Sequence, residues 1–228
     1  AKGKTFRWSG VYEENMNDRR TLSTELNVFE AFSPDLPESY MEAPYILLGN
    51  ISPTLQLHVL SQSKSPKFVV ADTMDLWINV ARSDLEEVIG RVNMLSLNDS
   101  EASLLTDEPN MKTCAGKIMD MGPQYVVIKK GEHGAMLFSS AGISIIPAYP
   151  VNEIRDATGA GDSFAGGFMG ALARSGGREE NAIREALLYG SVVASFGVEE
   201  FSLERLSELT VGEIDRRLAE LRGMIGLA

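Results

Sequence analysis

Cysteine, histidine and surplus positive charge are all scarce in this sequence, and long apolar runs are missing. The single cysteine, Cys114, cannot close an internal disulfide. With only His58 and His133 to join it, no zinc-type Cys/His cluster can be assembled. Lysine and arginine number 21 against 32 aspartates and glutamates, a net charge of -11, which argues against partners held by bulk attraction, such as nucleic acid or an anionic membrane. Any phosphate site must therefore be built locally, from backbone N–H groups and a few placed cations. No run of about 18 apolar residues occurs, and the amino terminus lacks a charged-then-apolar leader, so the cytoplasm is the expected compartment.

Several chemical signatures are absent too. There is no G-x-x-x-x-G-K-[ST] phosphate loop, and a dinucleotide fingerprint would need glycine where Phe164 stands. The H-R-D and D-F-G triplets of protein kinases are missing, as is the G-x-S-x-G elbow of hydrolases.

What is present is an α/β pattern. A length of 228 with 44% hydrophobic residues allows one sizeable core plus an appendage. Two β-rich stretches, Thr5 to Tyr12 and Thr21 to Phe29, flank a polar turn from Glu13 to Arg20 and suggest a hairpin or small sheet. From Tyr45 onward, short apolar runs (Tyr45 to Leu48, Phe68 to Ala71, Met94 to Leu97, Tyr125 to Lys129) alternate with helical stretches near Thr54 to Ser63, Arg82 to Arg91 and Lys112 to Met121. That alternation predicts a mostly parallel sheet covered on both faces. Two short strands follow, Ala135 to Phe138 and Ile143 to Ile146, and the last third reads as helix over Gly161 to Ser175, Glu180 to Phe196 and Thr210 to Leu221. Pro34, Pro37 and Pro44 punctuate the passage between the parts, dividing the chain into a small β unit over residues 1–32 and an α/β core over 33–228.

The segment Asp156-Ala157-Thr158-Gly159-Ala160-Gly161-Asp162 stands directly before the helical run Ser163 to Ala173. Glycines let backbone turn tightly and approach a ligand, and a helix start directs unpaired N–H groups and the positive end of its dipole at whatever sits there. An anion site results. Asp162 adds a carboxylate within reach of a group that attacks the bound phosphate. Read without its neighbours, Gly-Ala-Gly-Asp also suits an ordinary loop and helix start.

The full string resembles the D-T-x-G-A-G-D signature of the ribokinase-like, PfkB-type carbohydrate kinase family, with Ala157 its one departure. Weaker motifs follow the family's order over most of the chain. Asn98-Asp99-Ser100-Glu101 is similar to the family's N-x-x-E, which organises Mg²⁺ through water; the same spacing is that of a helix capping box. Lys129-Lys130-Gly131-Glu132-His133-Gly134 is similar to the G-x-x-G nucleotide loop, and equally suits a hairpin turn. Relatives often carry threonine where Lys129 stands. Ser191 falls in the helix that walls the adenine pocket, where many members carry asparagine. Asp72, which opens Asp72-Thr73-Met74-Asp75-Leu76-Trp77, falls where sugar-acid and fructose kinases of the family have an Asp-led substrate or phosphate loop; a solvated loop is the alternative. Trp8, Tyr12 and Phe29 fall in the family's β lid, where such aromatics also serve simple packing.

The resemblance implies a three-layer αβα, ribokinase-like (Rossmann-like) fold with a small β lid, and transfer of the γ-phosphate of ATP, with Mg²⁺, to a hydroxyl of a sugar or sugar-like substrate. It implies N–H donation to the phosphate from Gly159, Ala160 and Gly161, proton acceptance by Asp162, nucleotide contacts from Lys129, Gly131, Gly134, Thr158 and Ser191, metal organisation by Asn98 and Glu101, and substrate contact by Asp72. A nucleoside kinase shares every one of these motifs, and a nucleotide-binding protein without turnover is the rival from another class. The family's amino-terminal Gly-Gly substrate loop has no counterpart; Gly176 to Asn181 matches its pattern by chance. Because Ala1 stands just ahead of the lid-like strand, the chain is expected to be a piece of a longer protein, or to meet a partner chain that covers an open sheet edge. A homodimer through the lid is the other expected partnership.

Overall fold

The structure, a computed structural model, describes residues 2–12 and 19–226. The expected polar turn lies, from residue 13 to residue 18, outside the described residues.

Strands β1 (Arg7–Tyr12) and β2 (Arg19–Glu25) pair antiparallel as a separate two-stranded sheet, with a bulge between Ser9 and Gly10. The second strand stops short of the expected Phe29. Asn27 takes a left-handed backbone (φ 52°), which asparagine tolerates, and its side-chain amide donates to the Thr5 carbonyl at 2.9 Å, so Asn27–Phe29 turns as a short 3₁₀ segment.

The main sheet has six strands in sequence order: β3 (Tyr45–Leu48), β4 (Phe68–Asp72), β5 (Met94–Asn98) and β6 (Tyr125–Lys129) are parallel, and β7 (Ala135–Ser139) and β8 (Gly142–Ile146) close it as antiparallel strands. Strands added in one direction through right-handed crossovers must place all their connecting helices on one face. Those helices are α2 (Pro53–Gln62), α3 (Asp75–Val80), α4 (Arg82–Ile89), α5 (Asp99–Thr106) and α6 (Met111–Asp120); the short α1 (Glu38–Met41) precedes β3. Val69, Ala71, Leu95, Leu97, Val126 and Ile128 point to that face and pack with Leu85, Val88, Leu105 and Ile118.

The opposite face is covered by helices that come after the sheet is finished: α7 (Ala160–Ser175), α8 (Glu180–Gly197) and α10 (Val211–Met224), with the short α9 (Glu204–Ser207) between the last two. Phe68, Val70, Met94 and Val127, the alternate residues of the same strands, meet Phe164, Phe168, Leu172, Leu187 and Val192 there. The α7 and α8 backbones touch where side chains are missing: a methyl group on Gly190 would lie 2.6 Å from the Phe164 carbonyl oxygen. Buried Gln56 ties two strand ends together, its amide donating to the carbonyls of Gly49 (2.9 Å) and Asp72 (3.0 Å). β3 and β8 are the sheet's edges, and Tyr45, Ile46 and Leu47 on β3 are half-buried. Among the described residues, no helix is long and apolar enough to cross a membrane.

Candidate active site

The period-two alternation of a strand decides what meets at the sheet's carboxyl end. Phe68, Val70 and Asp72 share one face of β4, Met94, Ser96 and Asn98 one face of β5, and Tyr125, Val127 and Lys129 one face of β6. Asp72, Asn98 and Lys129 are the last residues of their strands, on the face against which α7 lies. Crevices at the carboxyl ends of parallel strands are where α/β folds bind ligands.

Helix α7 begins above this row. Gly159 caps it in the left-handed conformation (φ 80°), without strain because it lacks Cβ, and Asp162 lies exposed in the first turn. The preceding loop is pinned. Asp156 accepts the Thr158 N–H (2.9 Å) on one oxygen and the Ser202 N–H (3.4 Å) on the other, while the Arg155 N–H donates to Val198 (2.9 Å). Burial works to raise the Asp156 pKa, but hydrogen bonds from Thr158 and Ser202 prevail and hold it below the ordinary value. The lid reaches the same loop, with the Tyr12 and Thr158 hydroxyls 3.4 Å apart.

Beneath the helix start, Lys129 Nζ lies 2.7 Å from Asp72 Oδ2. Desolvation would lower the lysine pKa. The charge and hydrogen bond of Asp72, together with the attraction of Glu101 and Asp162, outweigh it, and the net shift is upward. One ammonium thus faces three carboxylates, a field that opposes a polyphosphate unless a further cation accompanies it.

Asn98 and Glu101 form a complete capping box at the start of α5. Asn98 Oδ1 accepts the Glu101 N–H at 2.7 Å, and Glu101 Oε2 accepts the Asn98 N–H at 2.8 Å. Glu101, 6% exposed, remains a hard oxygen donor beside the row. Among the described residues no three His, Cys, Asp or Glu side chains converge to cage a metal. Such a donor set fits Mg²⁺, which keeps most of its water and binds through few protein oxygens.

Gly131 and Gly134 frame a tight turn between β6 and β7, Gly131–His133, closed by the Lys130 N–H donating to Gly134 O at 2.7 Å. Gly134 has no alternative there: its φ is 82°, and a methyl group would sit 2.1 Å from the Ile146 carbonyl oxygen. Ser191 is buried on α8 and donates to the Pro147 carbonyl at 2.6 Å. Arg155, the nearest cation in sequence to the loop, pairs with Glu200 at 2.8 Å. The structure therefore gathers Asp72, Asn98, Glu101, Lys129 and the start of α7, and ties Ser191 to the exit of β8. Sequence reasoning did not anticipate the Asp72–Lys129 pair or the Tyr12–Thr158 approach; face alternation along β4 and β6 is the signal that finds the first.

Residues 53–208 match the family model described as pfkB family carbohydrate kinase. The chain belongs to that family. This pfkB-family chain is 31% identical over 184 residues to the cytidine kinase of Thermococcus kodakarensis, an alignment covering 78% of the chain and 65% of that relative. It is 31% identical over 118 residues to the ribokinase of Haemophilus influenzae, covering 50% of the chain and 37% of that enzyme, so it spans less than two thirds of either. Among solved structures, the ribokinase of Giardia lamblia superposes with a TM-score of 0.77 at 19% identity, covering 96% of the chain and 73% of that structure. The nucleoside kinase of Burkholderia thailandensis in complex with inosine gives 0.72 at 20% identity, covering 97% and 70%. These likenesses establish the three-layer ribokinase-type fold expected from the sequence.

Proposed function

We propose that this pfkB-family chain carries the phosphoryl-transfer site of an ATP-dependent kinase whose acceptor is a hydroxyl of a sugar or of the sugar part of a nucleoside. The observation that supports it most is the meeting of a carboxylate, Asp162, with a helix start and a half-buried, ion-paired lysine at the carboxyl end of a parallel sheet.

The acceptor oxygen forms a bond to the γ-phosphorus while the bond from that phosphorus to the bridging oxygen breaks, and ADP leaves. Asp162 takes the hydroxyl proton. The transition state of such a transfer is loose, so the protein contributes positioning and charge stabilisation. N–H groups at the positive end of α7 receive the γ-phosphoryl oxygens, those of Gly159 and Gly161 and, on leaving its 3.2 Å bond to the Ala157 carbonyl, that of Ala160. Lys129, Gly131, Gly134, Thr158 and Ser191 border the nucleotide, the last by fixing α8 rather than through a spare hydroxyl. Asn98 and Glu101 would hold Mg²⁺ through water, and the ion would supply the positive charge that the site's own residues lack. Asp72 closes the row on β4, with both its carboxylate oxygens engaged. The small sheet of β1 and β2 serves as a lid over the acceptor, which divides the chain near residue 33.

A nucleoside acceptor is favoured by the cytidine kinase alignment, which is the most extensive of the curated matches given above. The test is ADP release with ATP-Mg²⁺ against a panel of pentoses, hexoses, sugar acids and nucleosides. Acceptor-dependent release with at least one of them is expected. Nucleotide binding without turnover on any acceptor would replace the kinase reading with that of a nucleotide-binding protein.

A further inference from the structure

Lys129 and Asp72 are not on neighbouring strands. β4 pairs with β5 and β5 with β6, so the ion pair spans β5, above Ser96, which stands opposite Asp72 in register. The two ends of the pair are unequally open. Asp72 is 4% exposed and engaged at both oxygens, Oδ1 by the Thr73 N–H at 2.8 Å and Oδ2 by Lys129. The lysine side chain retains 18% exposure, and an ammonium has three donors of which Asp72 Oδ2 takes one. The accessible member of the pair is therefore the cation.

The ammonium lies against the start of α7. A methyl group on Gly161 would come within 3.3 Å of Nζ, so the second residue of the helix presents bare backbone to the charge. A lysine on a four-carbon stem ordinarily gives up rotamer freedom when it meets an anion. Here the carboxylate has already fixed it, which is preorganisation for a charge that arrives later.

We propose that Asp72 is a positioning residue for Lys129, and that the Lys129 ammonium, held against Gly161, meets the terminal phosphoryl group of the nucleotide. The proposal rests on the kinase reading above and assigns Asp72 to the phosphoryl group through the lysine.

The test compares wild type, Lys129→Met and Asp72→Asn in binding of a non-hydrolysable ATP analogue and of ADP, each with Mg²⁺, and in turnover with ribose and cytidine as acceptor probes. Losing a charge-assisted contact made only to the terminal phosphate should weaken the ATP analogue by about 10- to 100-fold in Lys129→Met, and ADP by less than about threefold. Asp72→Asn keeps the ammonium but frees it. It should lower kcat by about 10-fold, leave the acceptor KM unchanged, and lose part of the preference for the ATP analogue over ADP. Lys129→Met strands a buried carboxylate, so the double variant Asp72→Asn/Lys129→Met, which removes both charges, carries the same binding measurement if the single one does not fold. Equal weakening of both nucleotides, or of neither, overturns the proposal, as does a raised acceptor KM with unchanged kcat in Asp72→Asn. Wild type that binds neither nucleotide overturns the kinase reading itself.

Discussion

Asp162 sits in the first turn of a 16-residue helix, exposed, with an ammonium near enough to share its field. The positive end of the helix dipole and the Lys129 ammonium are both neighbours of its carboxylate. Asp162→Asn keeps the shape and deletes the acceptor, so turnover should fall by about 10² to 10⁴-fold with little change in ATP affinity. Steady-state kinetics beside nucleotide titration checks it, and near-normal turnover would remove Asp162 from the chemistry. Its place at a helix start was legible in the sequence because the whole setting, from Asp156 onward, is contiguous. The lysine's partner was not, since Asp72 and Lys129 lie 57 positions apart and only strand order and register bring them together.

At the scale of elements, apolar runs placed β3 and β6 at their observed limits, and the other strands of the main sheet within one residue. Alternation of fully apolar strands with helices leaves few other arrangements. The helices missed were short, four residues in α1 and in α9, six in α3 and eight in α5, which leaves little room for a 3.6-residue period to stand out; α4, also eight, was found within the expected stretch Arg82 to Arg91. The capping box of α5 was visible as Asn98 and Glu101, and in the structure those side chains do cap the helix. A second box starts α10, where Glu213 accepts from the Thr210 hydroxyl at 2.7 Å and from Arg205 at 2.7 Å. Hydrogen bonds from Thr210 first, then from Arg205, push the Glu213 pKa down to about 2 from 4.5. A carboxyl group whose pKa is lowered on folding adds stability above its unfolded value and loses it as pH falls through the folded one. The α10 cap should therefore weaken between about pH 4.5 and 2. Glu213→Gln should flatten that part of the stability profile, which amide exchange along α10 measured against pH will read; an unaltered profile would mean that the cap contributes nothing.

The whole molecule is two apolar cores separated by one sheet. Leu95 belongs to the core under α3 to α6, and Leu172 to the core under α7, α8 and α10; both are fully buried. Truncating either to alanine should cost about 2 to 5 kcal/mol. Since both cores share the same strands, either truncation should move a single denaturant transition rather than split it. Two separated transitions would show that the faces unfold independently. The cores differ in when their parts are made. One draws its buried residues from positions 48 to 138, whereas the other needs Phe164 through Leu221. Chains leave the ribosome amino end first. During synthesis the first face can finish while Phe68, Val70, Met94 and Val127 still look out on water, waiting for helices not yet translated. The glycine-rich loop over residues 156–162 arrives with those same helices. A nascent chain is thus a half-covered sheet until the segment that closes its core brings the candidate site with it.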